Sequence, residues 1–134
     1  MLHRIDVKTR SRVEFQDITD RVAGVLRASG IQNGVCYVFV PHTTAGITVN
    51  EHADPNVVTD IIDHLETMVP QHGGYRHMEG NSPAHIKASL MGSMQALFVE
   101  GGRLALGTWQ GVFFCEFDGP RDRRVMVKVV PDPA

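Results

Sequence analysis

The run Gly34–Val40, GVCYVFV, is apolar almost without a break, rich in β-branched and aromatic side chains, and stopped by Pro41. That composition fits a β-strand buried on both faces. His42 therefore falls just past the end of a central strand, where a rigid element can present a side chain to a cleft. A second strand is expected from Thr44 to Glu51, with Ala45, Ile47, Val49 and Glu51 on one face and Thr44, Gly46, Thr48 and Asn50 on the other. Asn50 and Glu51 again stand at a strand end.

The rest of the chain supplies partners for these strands. Ile5 and Val7 alternate with charged residues, and Val13 and Phe15 repeat the pattern after a polar turn, which predicts two short antiparallel strands. From Asp17 the period becomes helical through Ile18, Val22, Val25 and Leu26, and Gly30 is a plausible stop. Asp54-Pro55 starts a second helix, with Asp54 as N-cap and Pro55 in the first position. Its apolar stripe runs through Val57, Val58, Ile61, Ile62, Leu65 and Met68. Asp54 is either that cap or a chemical group. Asp60, stacked one turn from His64 on the stripe's margin, is either solvated or turned over the edge into a site.

A third helix is expected with Ser82 as cap and Pro83 in the first position, ending before Gly92. Strands follow at 93–100, 103–106, 111–117 and 123–130, the last with Val125, Val127 and Val129 facing inward. Paired strands with helices between them, rather than strict βαβ alternation, indicate α+β with a mostly antiparallel sheet or sandwich. At 134 residues and 43% hydrophobic content this is one domain, 1–134, with room for a real core.

Between the second and third helices, His72–His85 reads HGGYRHMEGNSPAH, with three of the seven histidines and almost nothing apolar. Connections in compact domains are usually about 4–6 residues, so a polar stretch this long marks function or disorder. Histidines and carboxylates elsewhere favour function. Imidazole and carboxylate suit zinc and related divalent ions, and His42, His77 and His85 are the preferred ligand set, drawn from a strand end, a loop and a helix start. A hydrogen-bonded polar cluster is the competing reading.

Other chemistries are excluded or weakened. His77-Met78-Glu79 has the spacing of a zinc deaminase motif but lacks the following P-C-x-x-C. No G-x-S-x-G elbow and no phosphate-binding G-x-x-x-x-G-K-[ST] loop occurs. Cys36 and Cys115 sit in apolar runs and read as buried thiols. There is no signal-peptide-like start and no apolar run near the ~20 residues of a membrane helix, so a cytoplasmic setting without a membrane partner is expected. A formal charge of −2 gives no broad footprint for nucleic acid. Arg121, Arg123 and Arg124 cluster around a turn, where arginine forks suit phosphate or carboxylate if they are not simply solvated. Trp109 and Gln110 offer an aromatic wall and an amide, or a core tryptophan.

Taken together, YRHMEGNSPAH at 75–85, LALGTWQ at 104–110, FDGPR at 117–121, PHTT at 41–44 and NEHAD at 50–54 resemble the YjbQ family, UPF0047, in the same order over nearly the whole chain. The resemblance implies a β-sandwich-like α+β core with flanking helices and assembly as a homotrimer. It also implies a site near the motif histidines that takes metal and anions. Its implied activity is that of a weak thiamine-phosphate synthase, joining a pyrimidine diphosphate to a thiazole phosphate. The family-like polar positions are His42, Asn50, Glu51, Asp54, Asp60, His77, Asn81 and His85, then Trp109, Gln110 and Arg121. On this reading His42, His77 and His85 hold a divalent ion, zinc first, with magnesium arriving alongside a diphosphate. Arg121 and Arg124, with Trp109 and Gln110, bind a small phosphorylated substrate, and Glu51, Asp54, Asp60, Asn50 and Asn81 form the catalytic set. A metal-dependent hydrolase of a phosphorylated metabolite and a non-catalytic trimeric metal- or anion-binding module are the alternatives.

Overall fold

Side-chain alternation sets the sheets in a computed structural model that describes the whole chain, Met1–Ala134. In β8 (Asp122–Pro131), Val125, Val127 and Val129 are buried while Arg124 and Lys128 face water. Ile5 and Val7 of β1 (Leu2–Lys8) follow the same rule. Together with β3 (Gly34–Phe39), β5 (Met94–Glu100) and the short β6 (Arg103–Leu104), they form an antiparallel sheet in the order β1-β8-β3-β5-β6. A second antiparallel sheet has the order β2-β7-β4, from Glu14–Asp17, Gln110–Glu116 and Ala45–Glu51.

The main core of 17 buried residues lies between the sheets and is closed by α1 (Thr19–Ser29). A smaller core forms where α2 (Pro55–Met68) and α3 (Ser82–Met91) cover the other face of the three-stranded sheet. This is the expected α+β sandwich with flanking helices.

The strand buried on both faces is β7, not β3. Val112 and Phe114 point into the main core, and Phe113 and Cys115 into the smaller one. Each large side chain so buried contributes about 1.5–3 kcal/mol. Strand β3 is central in its sheet, but only one face is covered by the chain itself. Its outer face, with β5 and β8, carries Tyr37, Met94, Phe98 and Val130, all exposed, Phe98 to 72%.

The first two strands also differ from expectation, since β1 and β2 do not pair with each other. Their apolar residues serve different cores. Ile5 and Val7 belong to the main core, whereas Phe15 packs on the smaller one, its ring 6.2 Å from Phe113 and 6.1 Å from Phe117. A hairpin would have put both on one sheet.

Helix ends follow local chemistry. Gly30 takes the left-handed conformation after α1, with φ 70°. Asp54 caps α2, accepting from the Asn56 N–H at 2.9 Å. The end of α3 is seated tightly on β4: a Cβ on Gly46 would stand 2.9 Å from Gly92 O and 2.9 Å from Met91 Cβ. That close approach fixes α3, and with it His85.

Candidate functional site

A cleft of about 580 Å³ opens where β3 ends, β8 begins and α3 starts. Its foundation is a buried ion pair. Glu116 closes β7 fully buried, and Arg123, on the inward face of β8, donates to it through Nε at 2.9 Å and through Nη2. Arg123 Nη2 also donates to Thr44 Oγ1 at 2.8 Å. Glu116 in turn accepts from Thr9 Oγ1 at 2.7 Å and from the Asp118 N–H at 3.1 Å, while Thr9 Oγ1 accepts from the Arg121 N–H at 2.8 Å. The pair therefore sets the backbone of the 118–121 turn.

Arg121 stands on that turn. Asp118 holds it through Nε–H to the backbone carbonyl at 2.8 Å and through Nη2 to the carboxylate at 3.0 Å. Five N–H groups belong to a guanidinium, so several remain for a ligand.

His42 and His85 share this cleft with Arg121 and Asn81. His42 Nε2 accepts from the Arg124 backbone N–H at 2.9 Å, so the neutral ring carries its proton on Nδ1. Burial, followed by the charge of Arg123, holds the His42 pKa below its ordinary value. Arg124 thus serves the site through its backbone. Its exposed side chain lies 3.7 Å from Asp6.

Asn81, rather than Ser82, is the N-cap residue of α3, yet its side chain makes no capping bond. Instead Nδ2 donates to Asp118 Oδ2 at 3.0 Å, and Oδ1 is buried without any partner. The forgone cap is worth about 1 kcal/mol, and an unpaired buried acceptor costs about 1–3 kcal/mol.

The three histidines expected around an ion are only partly gathered. His77 and His85 meet edge to face with centroids 5.4 Å apart, beside a second depression at the 72–85 loop. No three His, Cys, Asp or Glu side chains are placed to hold a metal ion. A metal-binding histidine usually donates its second ring nitrogen to an acceptor, whereas His42 meets a donor there. The side-chain placement within one chain does not fit a three-histidine centre.

The remaining expected residues stand elsewhere. Asn50 and Glu51 end β4 beside Gly111 and Gln110 of β7. Gln110 Oε1 accepts from the Gly107 N–H at 2.8 Å, and the Trp109 carbonyl accepts from the His52 N–H at 2.9 Å. Trp109 is 63% exposed, not a core residue. Asp54 is engaged as a cap and Asp60 is exposed on α2. From Thr44 at the cleft to Glu51 is one extended strand of seven steps, roughly 23 Å, so the Glu51 group and the cleft are separate places in one chain.

Sequence reasoning missed Glu116, Thr44 and Asp118, and it set Arg123 among the arginines of the turn rather than buried against Glu116. For Arg123 a signal existed, because it shares strand parity with Val125, Val127 and Val129 and so had to point inward. It also missed Lys87, fully buried on α3 and paired with Glu66, which Arg12 holds at 3.0 Å.

Residues 3–132 match the family model described as UPF0047 protein YjbQ-like. The chain belongs to the YjbQ/UPF0047 family. UPF0047 protein MJ1081 of Methanocaldococcus jannaschii is 48% identical, covering 98% of this chain and 96% of its own length. UPF0047 protein YugU of Bacillus subtilis is 49% identical, covering 97% and 99%. A crystal structure of a YjbQ/UPF0047 family protein from Clostridium acetobutylicum superposes with a TM-score of 0.94 at 54% identity, covering 96% and 99%. A protein of unknown function from Sulfolobus solfataricus, described as YbjQ-like, superposes at 0.95 and 35% identity, covering 98% and 97%. In this YjbQ-family chain, the cleft of His42, Asn81, His85 and Arg121 is the densest convergence of the expected site residues.

Proposed function

We propose that the cleft binds the phosphate groups of a small metabolite and that the protein is a transferase of the thiamine-phosphate synthase type. It would join a pyrimidine diphosphate to a thiazole phosphate and release pyrophosphate. The observation that carries this reading is Arg121, whose free guanidinium N–H groups stand in a cleft shared with His42 and His85.

In the reaction the thiazole nitrogen attacks the pyrimidine methylene, the carbon–oxygen bond to diphosphate breaks, and its electron pair leaves with pyrophosphate. No protein nucleophile is needed. Arg121 meets the growing charge on the leaving group, and the Nδ1–H of neutral His42 adds a donor held in place by the Arg124 amide. Arg123 and Glu116 hold the turn that carries Arg121. A divalent ion enters this reading as magnesium bound to the substrate's diphosphate, since magnesium keeps phosphate oxygens and waters rather than an all-protein cage. Zinc on His77 and His85 is the alternative, supported if about one equivalent per chain is found and lost in H77A and H85A.

The test is product analysis with both organic substrates and magnesium. Thiamine phosphate and pyrophosphate are expected in equal amounts, with a rate about 100-fold lower in Arg121→Ala, the usual loss for one such donor. Consumption of the diphosphate alone would make the protein a hydrolase, and binding without turnover a non-catalytic module.

The homotrimer and a cytoplasmic setting belong to the same proposal. A closed ring of head-to-tail contacts joins two different patches of one chain. The open apolar face of Tyr37, Met94, Phe98 and Val130 and the exposed Trp109 tip are two such patches. Phe39, on the same face, borders the cleft, so a neighbour seated there would also help wall the site.

A further inference from the structure

The main core is covered by α1 but not sealed at that helix's end. Between the last turn of α1 and the 101–106 segment a second cavity, of about 490 Å³, opens at the β6 edge of the five-stranded sheet. It shares no lining residue with the cleft of Arg121. Its floor is apolar: Leu26 is buried, while Ile31, Leu104 and Leu106 pack on the main core and keep part of their surface open. The polar side chains of the lining are Thr19, Arg27, Gln32 and Arg103, and no carboxylate is among them. Neither arginine takes part in any of the six ion pairs of the chain, although Glu100 stands opposite Arg103 in the β5–β6 register. The wall is also fixed in place. Gly101 and Gly102 turn with φ of 60° and 75°, the Gly102 N–H donates to the Gln32 carbonyl at 2.9 Å, and a Cβ on Gly102 would stand 3.1 Å from Gln32 Nε2.

We propose that this cavity is a second binding site, for a monocarboxylate with a medium-length apolar chain. Small-molecule sites are typically clefts of about 300–1,000 Å³ with an apolar lining and a few polar groups that fix orientation, and this cavity has both features. The ligand's chain covers Ile31, Leu104 and Leu106, removing from water the core surface that α1 leaves open. Its carboxylate is met by Arg27 and Arg103, whose forks match two carboxylate oxygens and have no acid of the chain to displace. A cation is disfavoured by the two arginines, and a neutral chain leaves them without a partner. A small, highly charged anion gains nothing from the apolar floor.

The test is calorimetric titration of the full-length protein with octanoate, 1-octanol and acetate, which share a chain or a head group but not both. Octanoate is expected to saturate one site per chain and to bind about tenfold or more tightly than either of the others, the usual effect of hydrogen bonds to a charged group or of several buried methylenes. Arg27 and Arg103 are both exposed, so the double variant Arg27→Met, Arg103→Met should keep the fold and erase the advantage of octanoate over octanol. Methyl NMR of the wild-type protein locates the ligand without any variant: octanoate should move the resonances of Ile31, Leu104 and Leu106. Because the cavity and the cleft share no residue, none of these outcomes depends on whether the cleft binds phosphate. Absence of saturable octanoate binding, or octanoate no tighter than octanol, overturns the inference. So does an octanoate affinity unchanged in the double variant, or shifts confined to the open face of Met94 and Val130, since the ligand would then sit elsewhere.

Discussion

Replacing Arg123 by Met removes a buried cation and leaves Glu116 charged, fully enclosed and short of its main partner. Breaking a buried ion pair from one side costs about 3–5 kcal/mol, against a total stability of about 5–15 kcal/mol for a domain. Glu116→Met should cost more, because it strands Arg123 and also removes the acceptor of Thr9 Oγ1 and the Asp118 N–H. The double variant removes both charges, which is often close to neutral where the side chains pack. Here it still leaves Thr9 Oγ1 and the Asp118 N–H without their acceptor, at about 1–3 kcal/mol each. The two single losses should therefore not add, and the double variant should be more stable than Glu116→Met, which carries the same two orphaned donors and a stranded Arg123 besides. Urea unfolding at one fixed protein concentration measures this, with an unchanged dependence on urea as the check on two-state behaviour. Additive losses would refute the reasoning, since they would mean that the two side chains stabilise the fold independently. The double variant should also bind pyrophosphate more weakly than wild type, because the turn carrying Arg121 has lost its anchor.

Three further outcomes follow from the geometry. His42 has a folded pKa below its ordinary 6.5, so the unfolded chain takes up the proton first, and stability should fall as pH drops below about 6.5 until the folded value is passed; His42→Gln should flatten that segment of a stability–pH profile. Glu66 loses some hydration by burial, but Lys87 and Arg12 more than offset this and hold its pKa below 4.5, so its contribution is present above about pH 4.5 and is lost on further acidification, a loss that Glu66→Gln should remove from the same profile. Phe98→Glu, at the most exposed aromatic of the open sheet face, should convert the proposed homotrimer to monomer in sedimentation with its circular dichroism unchanged; a monomeric wild type would overturn the trimer, and an unaltered trimer would place the interface elsewhere.

Much of the fold was legible because period-two alternation is a direct record of one-sided burial, as β1 and β8 show. The exchange between β3 and β7 has a physical cause. Both runs are continuously apolar, but β7 is covered by helices on its second face, whereas the second face of β3 lies open in the single chain. Sequence alone records that a face is apolar, not which element covers it. The site was legible as a set of residues and not as a place. His42 and Glu51 flank one strand, so their separation follows from β4 being extended, while the meeting of Asn81, Asp118 and Arg121 depends on long-range packing that no local pattern carries. Asn81 was hidden for a further reason. Ser82-Pro83 offers a better local cap signal, and Asn81 spends its side chain on Asp118 instead.

The most direct test of the central claim, that the cleft of Arg121, His42 and His85 is the phosphate site, is a crystal structure of the protein grown with pyrophosphate and magnesium. The account predicts pyrophosphate in that cleft, hydrogen-bonded to the free guanidinium N–H groups of Arg121 and to His42 Nδ1. Pyrophosphate bound only at the Trp109–Gln110 tip, or only between His77 and Arg76 on the 72–85 loop, would contradict it.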